Sequence, residues 1–292
     1  MKYLYVFLLL SLFSCKNDTK LEPPIVIDEV VPTDLKILSD STMVLDKDIE
    51  ISKVLSIKLK QKSLIEIADE RNELKELIIE KKYFKEEDEY TLDFTYPLLN
   101  ENLKPTNVNF NEYINDYYVD IIGTEAGILE DKALICDSIK IDQFREKRYI
   151  DYKIFNVNDQ LVSVLFYKEN FYSGTLHPTY SFDCMNFDLN RGVFMNYEDF
   201  FNVGSEVEFT DILNKEISKQ ESKGDKYYDC WKLSNDDFFE NKNNFVVNET
   251  YVEYYFDDCV MCPSYAGSYS IKIPLVQLLS VLRKYDLNPL VL

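Results

Sequence analysis

The run Gln160–Tyr167, QLVSVLFY, is apolar at successive positions. Neighbouring side chains on an extended strand point to opposite faces, so this run needs cover on both sides and suits a central strand. A chain built around it has to be layered. The flanking segments fit as its neighbours. RYIDYKIFN, 148–156, puts Ile150, Tyr152 and Ile154 on one face. TYSFDCMNFDL, 179–189, alternates through Tyr180, Phe182 and Cys184, then shifts phase to Met185, Phe187 and Leu189. That shift implies either a bulge near Cys184 or burial on both faces. A turn follows at Asn190–Gly192.

Upstream, LIIEKKYFKEEDEYTLDFTYP reads as two strands joined by an acidic turn at Glu86–Asp88. Further strands are expected near Asn244–Val247, Tyr251–Phe256 and Tyr269–Ile273. Tyr251, Tyr254, Tyr255 and Phe256 form either a core or a stacking surface, and aromatic burial favours the core. Helical spacing joins Phe110, Tyr113, Ile114, Tyr117, Tyr118 and Ile121, with Asn109 and Glu112 as a cap and Gly123 as a stop. Ser205 and Glu208 open a second helix, striped by Phe209, Ile212, Leu213 and Ile217. Ser63 and Glu66 suggest a short helix over 64–76, and PLVQLLSVL a short closing one. The class is α+β: an antiparallel β-sheet with a few helices packed on one side, in two sequential subdomains, 74–146 and 147–292.

The first fourteen residues, MKYLYVFLLLSLFS, combine Lys2 with an apolar run too short to span a bilayer, which needs roughly 20 residues. They read as a signal peptide, 1–14. Leu12-Phe13-Ser14-Cys15 has lipobox form, which makes Cys15 the site of lipid attachment and the new N-terminus, with two or more acyl chains as a stable anchor. Residues 15–40, with Pro23, Pro24 and Pro32, form a tether, and 41–73 a linker with helical potential. The chain is thereby expected on a bacterial membrane, facing the periplasm or the exterior.

A net charge of −20 argues against nucleic-acid binding, which needs clustered Lys and Arg, and favours cationic partners. Of six cysteines, Cys15 is assigned to lipid, and an oxidising envelope favours disulfides among the others. No phosphate loop, nucleophile elbow or HExxH motif occurs. DLNRGVFMNYE has calcium-loop flavour, but Gly192 stands where a ligand is required, so it reads as a turn.

His177 is the sole histidine. As a general base it would need a nucleophile and an orienting carboxylate, with Ser173, Tyr180 and Asp183 the local candidates. As a zinc ligand it would join Cys184, Cys259 and Cys262 in a tetrahedral set. The third role, a histidine of a structural or binding loop, demands least. Cys259 and Cys262 also suit a disulfide, and they lack the helix N-terminus of a redox CxxC.

FYSGTLHPTYSFDCMNFDLNRGVFMNYEDFF resembles the C-terminal domain of unknown function shared by RsiV-type anti-sigma factors and PdaC-type peptidoglycan deacetylases. The matching positions are Tyr172, Gly174, His177, Asn186-Phe187-Asp188-Leu189, Gly192 and Asp199-Phe200-Phe201. Tyr265, Gly267 and Pro274 resemble that family's closing loop and strand, and FTYPLLNEN with the helix after it resembles its companion domain. The departures are Thr175, Leu176, Cys259 and Cys262. The resemblance implies an envelope module found beside peptidoglycan chemistry or lysozyme sensing, and marks His177, Tyr172 and Tyr265 as binding residues. The expectation is a lipid-anchored envelope binding protein for a cell-wall glycan or a lysozyme-like cationic protein. The alternative is a peptidoglycan- or glycan-acting hydrolase, or deacetylase-associated enzyme, using His177.

Overall fold

The computed structural model describes residues 68–136, 138–176, 178–222, 232–257, 269–284 and 288–291, all within one compact unit, Lys47–Leu292. Among them, nine strands form two sheets. β1 (Ile78–Glu86), β2 (Tyr90–Leu99), β3 (Glu146–Val157), β4 (Leu161–Phe171), β5 (Thr179–Asp188) and β6 (Val193–Met195) lie side by side in chain order. β7 (Phe245–Val247), β8 (Tyr251–Phe256) and β9 (Tyr269–Pro274) form the second sheet. Every pairing is antiparallel except β2 with β3, which is parallel. That pair joins the strands before and after residue 146 into one continuous sheet.

The doubly apolar strand is where the layers meet. Val162, Val164 and Phe166 of β4 enter a core under α1 (Asn107–Tyr113) and α2 (Ile121–Ala133). Leu165 and Tyr167 point the other way, onto Val246 and Tyr255 of the small sheet. The far face of that sheet, with Phe245, Val252, Tyr254 and Phe256, packs on Tyr197 and Phe200 of α4 (Tyr197–Phe200), Phe209 of α5 (Glu206–Ser222) and Phe238 of α6 (Asn235–Asn241). The layers therefore run helices, six-stranded sheet, three-stranded sheet, helices. A short α3 (Ser138–Asp142) precedes β3, and a 3-10 turn (Leu275–Gln277) follows β9.

The phase shift in β5 is resolved without a bulge, because the β4–β5 register is continuous from Leu161↔Asp188 to Asn170↔Thr179. Cys184 packs toward the small sheet and Met185 and Phe187 toward the helices. Both faces are covered, so both phases are apolar. The two sheets are also joined by a buried polar node. Ser163 Oγ donates to Asn186 Oδ1 at 2.7 Å, Asn186 Nδ2 to Phe245 O at 2.9 Å, and Val247 N to Ser163 Oγ at 3.0 Å.

Some local expectations are corrected. The helix expected to stop at Gly123 begins after Thr106 and passes into a π-turn over Ile114–Val119. It stops at Asp120, which is left-handed at φ 34°. The Asp120 carboxylate then accepts from Gly123 N at 2.9 Å and opens α2. A Cβ on Gly123 would come within 2.0 Å of that carboxylate, so this glycine starts a helix and does not end one. Over the described part of 64–76, residues 68–70 are irregular and 71–76 are turns, not helix. Their role is to cover the edge of β3 beyond Ile150, where β2 no longer pairs. Glu70 N donates to Ile154 O at 2.9 Å, and Ile154 N to Asp69 Oδ2 at 3.3 Å. Asn156 N donates to the Glu70 carboxylate, and Arg71 Nη2 to Tyr152 O at 2.7 Å. Three side chains and one backbone N–H here replace a missing strand.

Candidate functional site: a face of tyrosines and carboxylates

The small sheet covers part of the six-stranded sheet's face. It packs over Phe155, Leu165 and Phe182 and leaves Tyr149 and Tyr180 at the margin, half-buried. Tyr149, Tyr167 and Tyr180 make a row across β3, β4 and β5. Tyr149 meets Tyr167 edge-on at 6.0 Å, and Tyr167 stacks with Tyr180 at 6.2 Å with planes 17° apart. Tyr167 also touches Phe182 at 5.5 Å, and Phe182 touches Tyr255 at 5.5 Å, so the row roots in the inter-sheet core.

Carboxylates are set among the rings by strand register. Asp93 of β2 is the register partner of Tyr149, Asp151 the partner of Tyr167, and Glu169 the partner of both Tyr149 and Tyr180. Tyr149 Oη donates to Asp151 Oδ2 at 3.3 Å, and Tyr167 Oη to Glu169 Oε2 at 3.5 Å. Burial, then the charges of Asp151, Asp93 and Glu169, push the Tyr149 phenol far above its ordinary range. The Tyr149 phenol therefore stays a neutral donor to the Asp151 carboxylate. Lys147 Nζ lies 5.9 Å from the Tyr149 ring. Aromatic faces edged with carboxylates attract ammonium and guanidinium groups through the ring quadrupole and direct charge. This face thus has the chemistry of a cation-binding surface.

The β4–β5 hairpin projects beside it. Arg148 lies over the Tyr172 ring at 4.1 Å, donates to Phe171 O at 3.0 Å, and pairs with the buried Glu146. Glu146 Oε1 also accepts from Ser173 N at 3.2 Å. Tyr172 O in turn takes Thr175 N at 3.2 Å and Thr175 Oγ1 at 2.7 Å, and Gly174 supplies the φ of +84°. The clamp fixes the base of the loop bearing His177. His177, Cys15, Cys259, Cys262 and Tyr265 lie outside the described residues.

Cys184 of the candidate zinc set is half-buried. Burial, then Asp183, Glu253 and Asp257, push its thiol well above the usual range. A metal ligand has to be a thiolate, and this setting opposes one. Among the described residues no cluster of three or more His, Cys, Asp or Glu is placed to hold a metal ion. Asp183 faces the helices, where it accepts from Tyr118 Oη at 2.8 Å and pairs with Lys168 at 3.4 Å. Tyr254, Tyr255 and Phe256 are buried, as core aromatics. In the loop with calcium flavour, Asp188 Oδ1 accepts from Asn190 N and Arg191 N, and Oδ2 from Arg191 Nε. Its oxygens hold a turn.

Sequence reasoning passed over Tyr149, Asp151, Tyr167 and Glu169. The available signal was the repeated aromatic-x-acid spacing, Tyr149-Ile150-Asp151 and Tyr167-Lys168-Glu169, which puts ring and carboxylate on one face of each strand.

Residues 198–275 match the model of the family described as "Protein of unknown function (DUF3298)". The C-terminal region therefore carries a domain of the kind also found in PdaC-type proteins. The matched residues build α4 to β9, and the strands of the tyrosine face lie before them. A stretch of 151 residues is 28% identical to peptidoglycan-N-acetylmuramic acid deacetylase PdaC of Bacillus subtilis (strain 168), covering 48% of this chain and 30% of that protein. The chain thus spans less than a third of that relative. Two crystal structures are similar. One, of a DUF3298 family member from Bacteroides fragilis NCTC 9343, has 16% identity, 70% and 92% coverage of this chain and that one, and a TM-score of 0.45. The other, of a DUF3298 family protein from Pseudomonas aeruginosa PAO1, has 13% identity, 70% and 93% coverage, and a TM-score of 0.48.

Proposed function

We propose that this protein is a binding module of the cell envelope, lipid-anchored through Cys15, whose tyrosine and carboxylate face receives a cationic protein such as a lysozyme-like muramidase. The observation that carries this reading is the placement of Tyr149, Tyr167 and Tyr180 beside Asp93, Asp151 and Glu169. The net charge of −20 supports it, since long-range attraction speeds encounter with a basic partner. The partial likeness to a peptidoglycan deacetylase supports an address beside the cell wall. The hydrolytic alternative rests on His177, which lies outside the described residues.

Calorimetric titration with lysozyme tests the reading. Affinity is expected to fall by at least about tenfold as ionic strength rises from roughly 50 to 200 mM, because exposed charge pairs are screened over about 8–10 Å. Absent or salt-insensitive binding removes the cationic partner. Binding of soluble muropeptides in its place transfers the face to a glycan ligand. Cys15→Ala is expected to release the protein from membranes, and retention on them would contradict the anchor.

A further inference from the structure

β1 is an outermost strand of the six-stranded sheet, and its far side is an open edge. Asn100 N donates to Leu77 O at 2.8 Å and Glu87 N to Tyr90 O at 2.9 Å, so the odd-numbered residues of β1 exchange hydrogen bonds with β2. The N–H and C=O groups of Glu80, Lys82, Phe84 and Glu86 point the other way. Among the described residues none of them bonds to another backbone group. An unpaired edge of this length is a template for a further strand.

Phe84 stands on that edge, 65% exposed. It is the register partner of Asp93, which is the partner of Tyr149, so its ring lies on the tyrosine and carboxylate side of the sheet. A single exposed ring is ordinary. Its neighbours make this one informative. Lysines on an edge strand usually repel a second strand, but here Lys81, Lys82 and Lys85 are interspersed with Glu80, Glu86 and Glu87. Two identical strands meeting antiparallel are related by a two-fold axis, so each alignment sets fixed residues opposite one another. With Phe84 on the axis, Lys82 faces Glu86, Lys81 faces Glu87 and Tyr83 faces Lys85. Moving the axis one step toward the turn sets Lys85 against Lys85. One step the other way sets Glu80 against Glu86 and Lys81 against Lys85, and the next two steps set Lys82 and then Lys81 against itself. Opposite charges directly across a ladder stabilise it, and like charges destabilise it. The charge pattern thus selects one alignment.

We infer that β1 pairs with β1 of a second copy of this chain, antiparallel and centred on Phe84. Residues 82–86 of each copy then lie opposite 86–82 of the other, and the pairs at Lys82, Phe84 and Glu86 exchange about six backbone hydrogen bonds. The two Phe84 rings meet at the axis and cover one another's apolar surface. Glu86 pairs with Arg145 through Oε1 at 2.7 Å, which leaves Oε2 for Lys82 of the second copy. The axis is perpendicular to the sheets, so the faces carrying Tyr149 and Tyr180 point the same way in both copies. The pairing does not depend on what that face binds.

Sedimentation equilibrium of the full chain tests this. A dimer is expected with a dissociation constant on the order of 50 μM, as suits a small interface. Phe84→Lys, at an exposed position that leaves the core intact, is expected to weaken it at least about tenfold, since it sets two cations together at the axis. Lys82→Glu alone and Glu86→Lys alone each place like charges opposite one another at two points, and each is expected to weaken self-association at least about tenfold. Mixing these two variants restores an opposite-charge pair at both points, so the mixture is expected to associate within about threefold of the unmodified protein. A chain that stays monomeric to about 0.5 mM, ten times the expected constant, would overturn the inference. So would association that Phe84→Lys leaves unchanged, or a mixture that associates no more tightly than either variant alone.

Discussion

The two faces of the six-stranded sheet come from the same strands and end differently. On one face, Ile150, Tyr152, Ile154, Val162, Val164, Phe166 and Phe187 are buried beneath α1 and α2. On the other, the same strands begin as apolar under the small sheet, with Phe155, Leu165 and Phe182, and then change to Tyr149, Asp151, Glu169 and Tyr180 where that cover ends. Alternation alone makes both faces available for packing. What separates them is the chemistry of alternate positions, with carboxylates placed one register step from each ring. The first face is core, and the second is the one proposed for contact.

The sharpest way to break this distinction is to remove one ring from each face. Phe166→Ala removes a fully buried ring from the helix side and is expected to cost about 3–5 kcal/mol in denaturant unfolding. Tyr180→Ala, at the half-buried margin, is expected to stay near 1 kcal/mol. Equal losses would show that both faces are core. Arg148→Ala comes next, at about 3 kcal/mol, since it leaves the buried Glu146 carboxylate without its cation. The same change is expected to speed amide exchange at Ser173, whose N–H that carboxylate holds; unchanged exchange would mean the clamp does not order the hairpin. Asn186→Leu, within the join between the sheets, is expected to cost about 1–3 kcal/mol by stranding Phe245 O and Ser163 Oγ. A neutral result there would mean the two sheets are held by apolar packing alone.

The smallest effect concerns the segment that covers the β3 edge. Burial, more than any other influence, raises the Glu70 carboxyl above its ordinary value of 4.5. A carboxyl raised on folding contributes stability that is fully present below its unfolded pKa and is lost as pH rises through the folded value. Glu70→Gln is therefore expected to flatten the fall in melting temperature above pH of about 4.5 while still accepting from Asn156 N. An unchanged pH profile would exclude Glu70 as the source of that slope.

Much of the architecture was legible because burial on two faces leaves a plain mark. QLVSVLFY required a layer on each side, and the phase shift at Cys184 and Met185 marked the neighbouring strand as sandwiched too. Features fixed by a single side chain were not legible. Gly123 has the composition of a stop signal, but its position beneath the Asp120 carboxylate makes it part of a helix start. Asp69, Glu70 and Arg71 carry helix-compatible side chains, yet the unpaired edge of β3 draws them into another conformation, a demand set by residues about 85 positions away. The site was half legible: the hairpin of Tyr172 stood out through the lone histidine. The tyrosine and carboxylate face did not, because β2, β3, β4 and β5 each contribute one or two of its members.

The most direct test of the contact face compares two variants of equal charge. Asp93→Asn, Asp151→Asn and Glu169→Gln together neutralise the face, while Glu112→Gln, Asp116→Asn and Glu130→Gln remove the same charge from exposed positions along the α1–α2 segment. Lysozyme binding is measured for both by calorimetry at low ionic strength. If the tyrosine and carboxylate face is the binding surface, the first variant loses at least about tenfold in affinity and the second stays within about threefold of the unmodified protein. Equal weakening of both, or retention by the first, would contradict it and reduce the attraction to net charge alone.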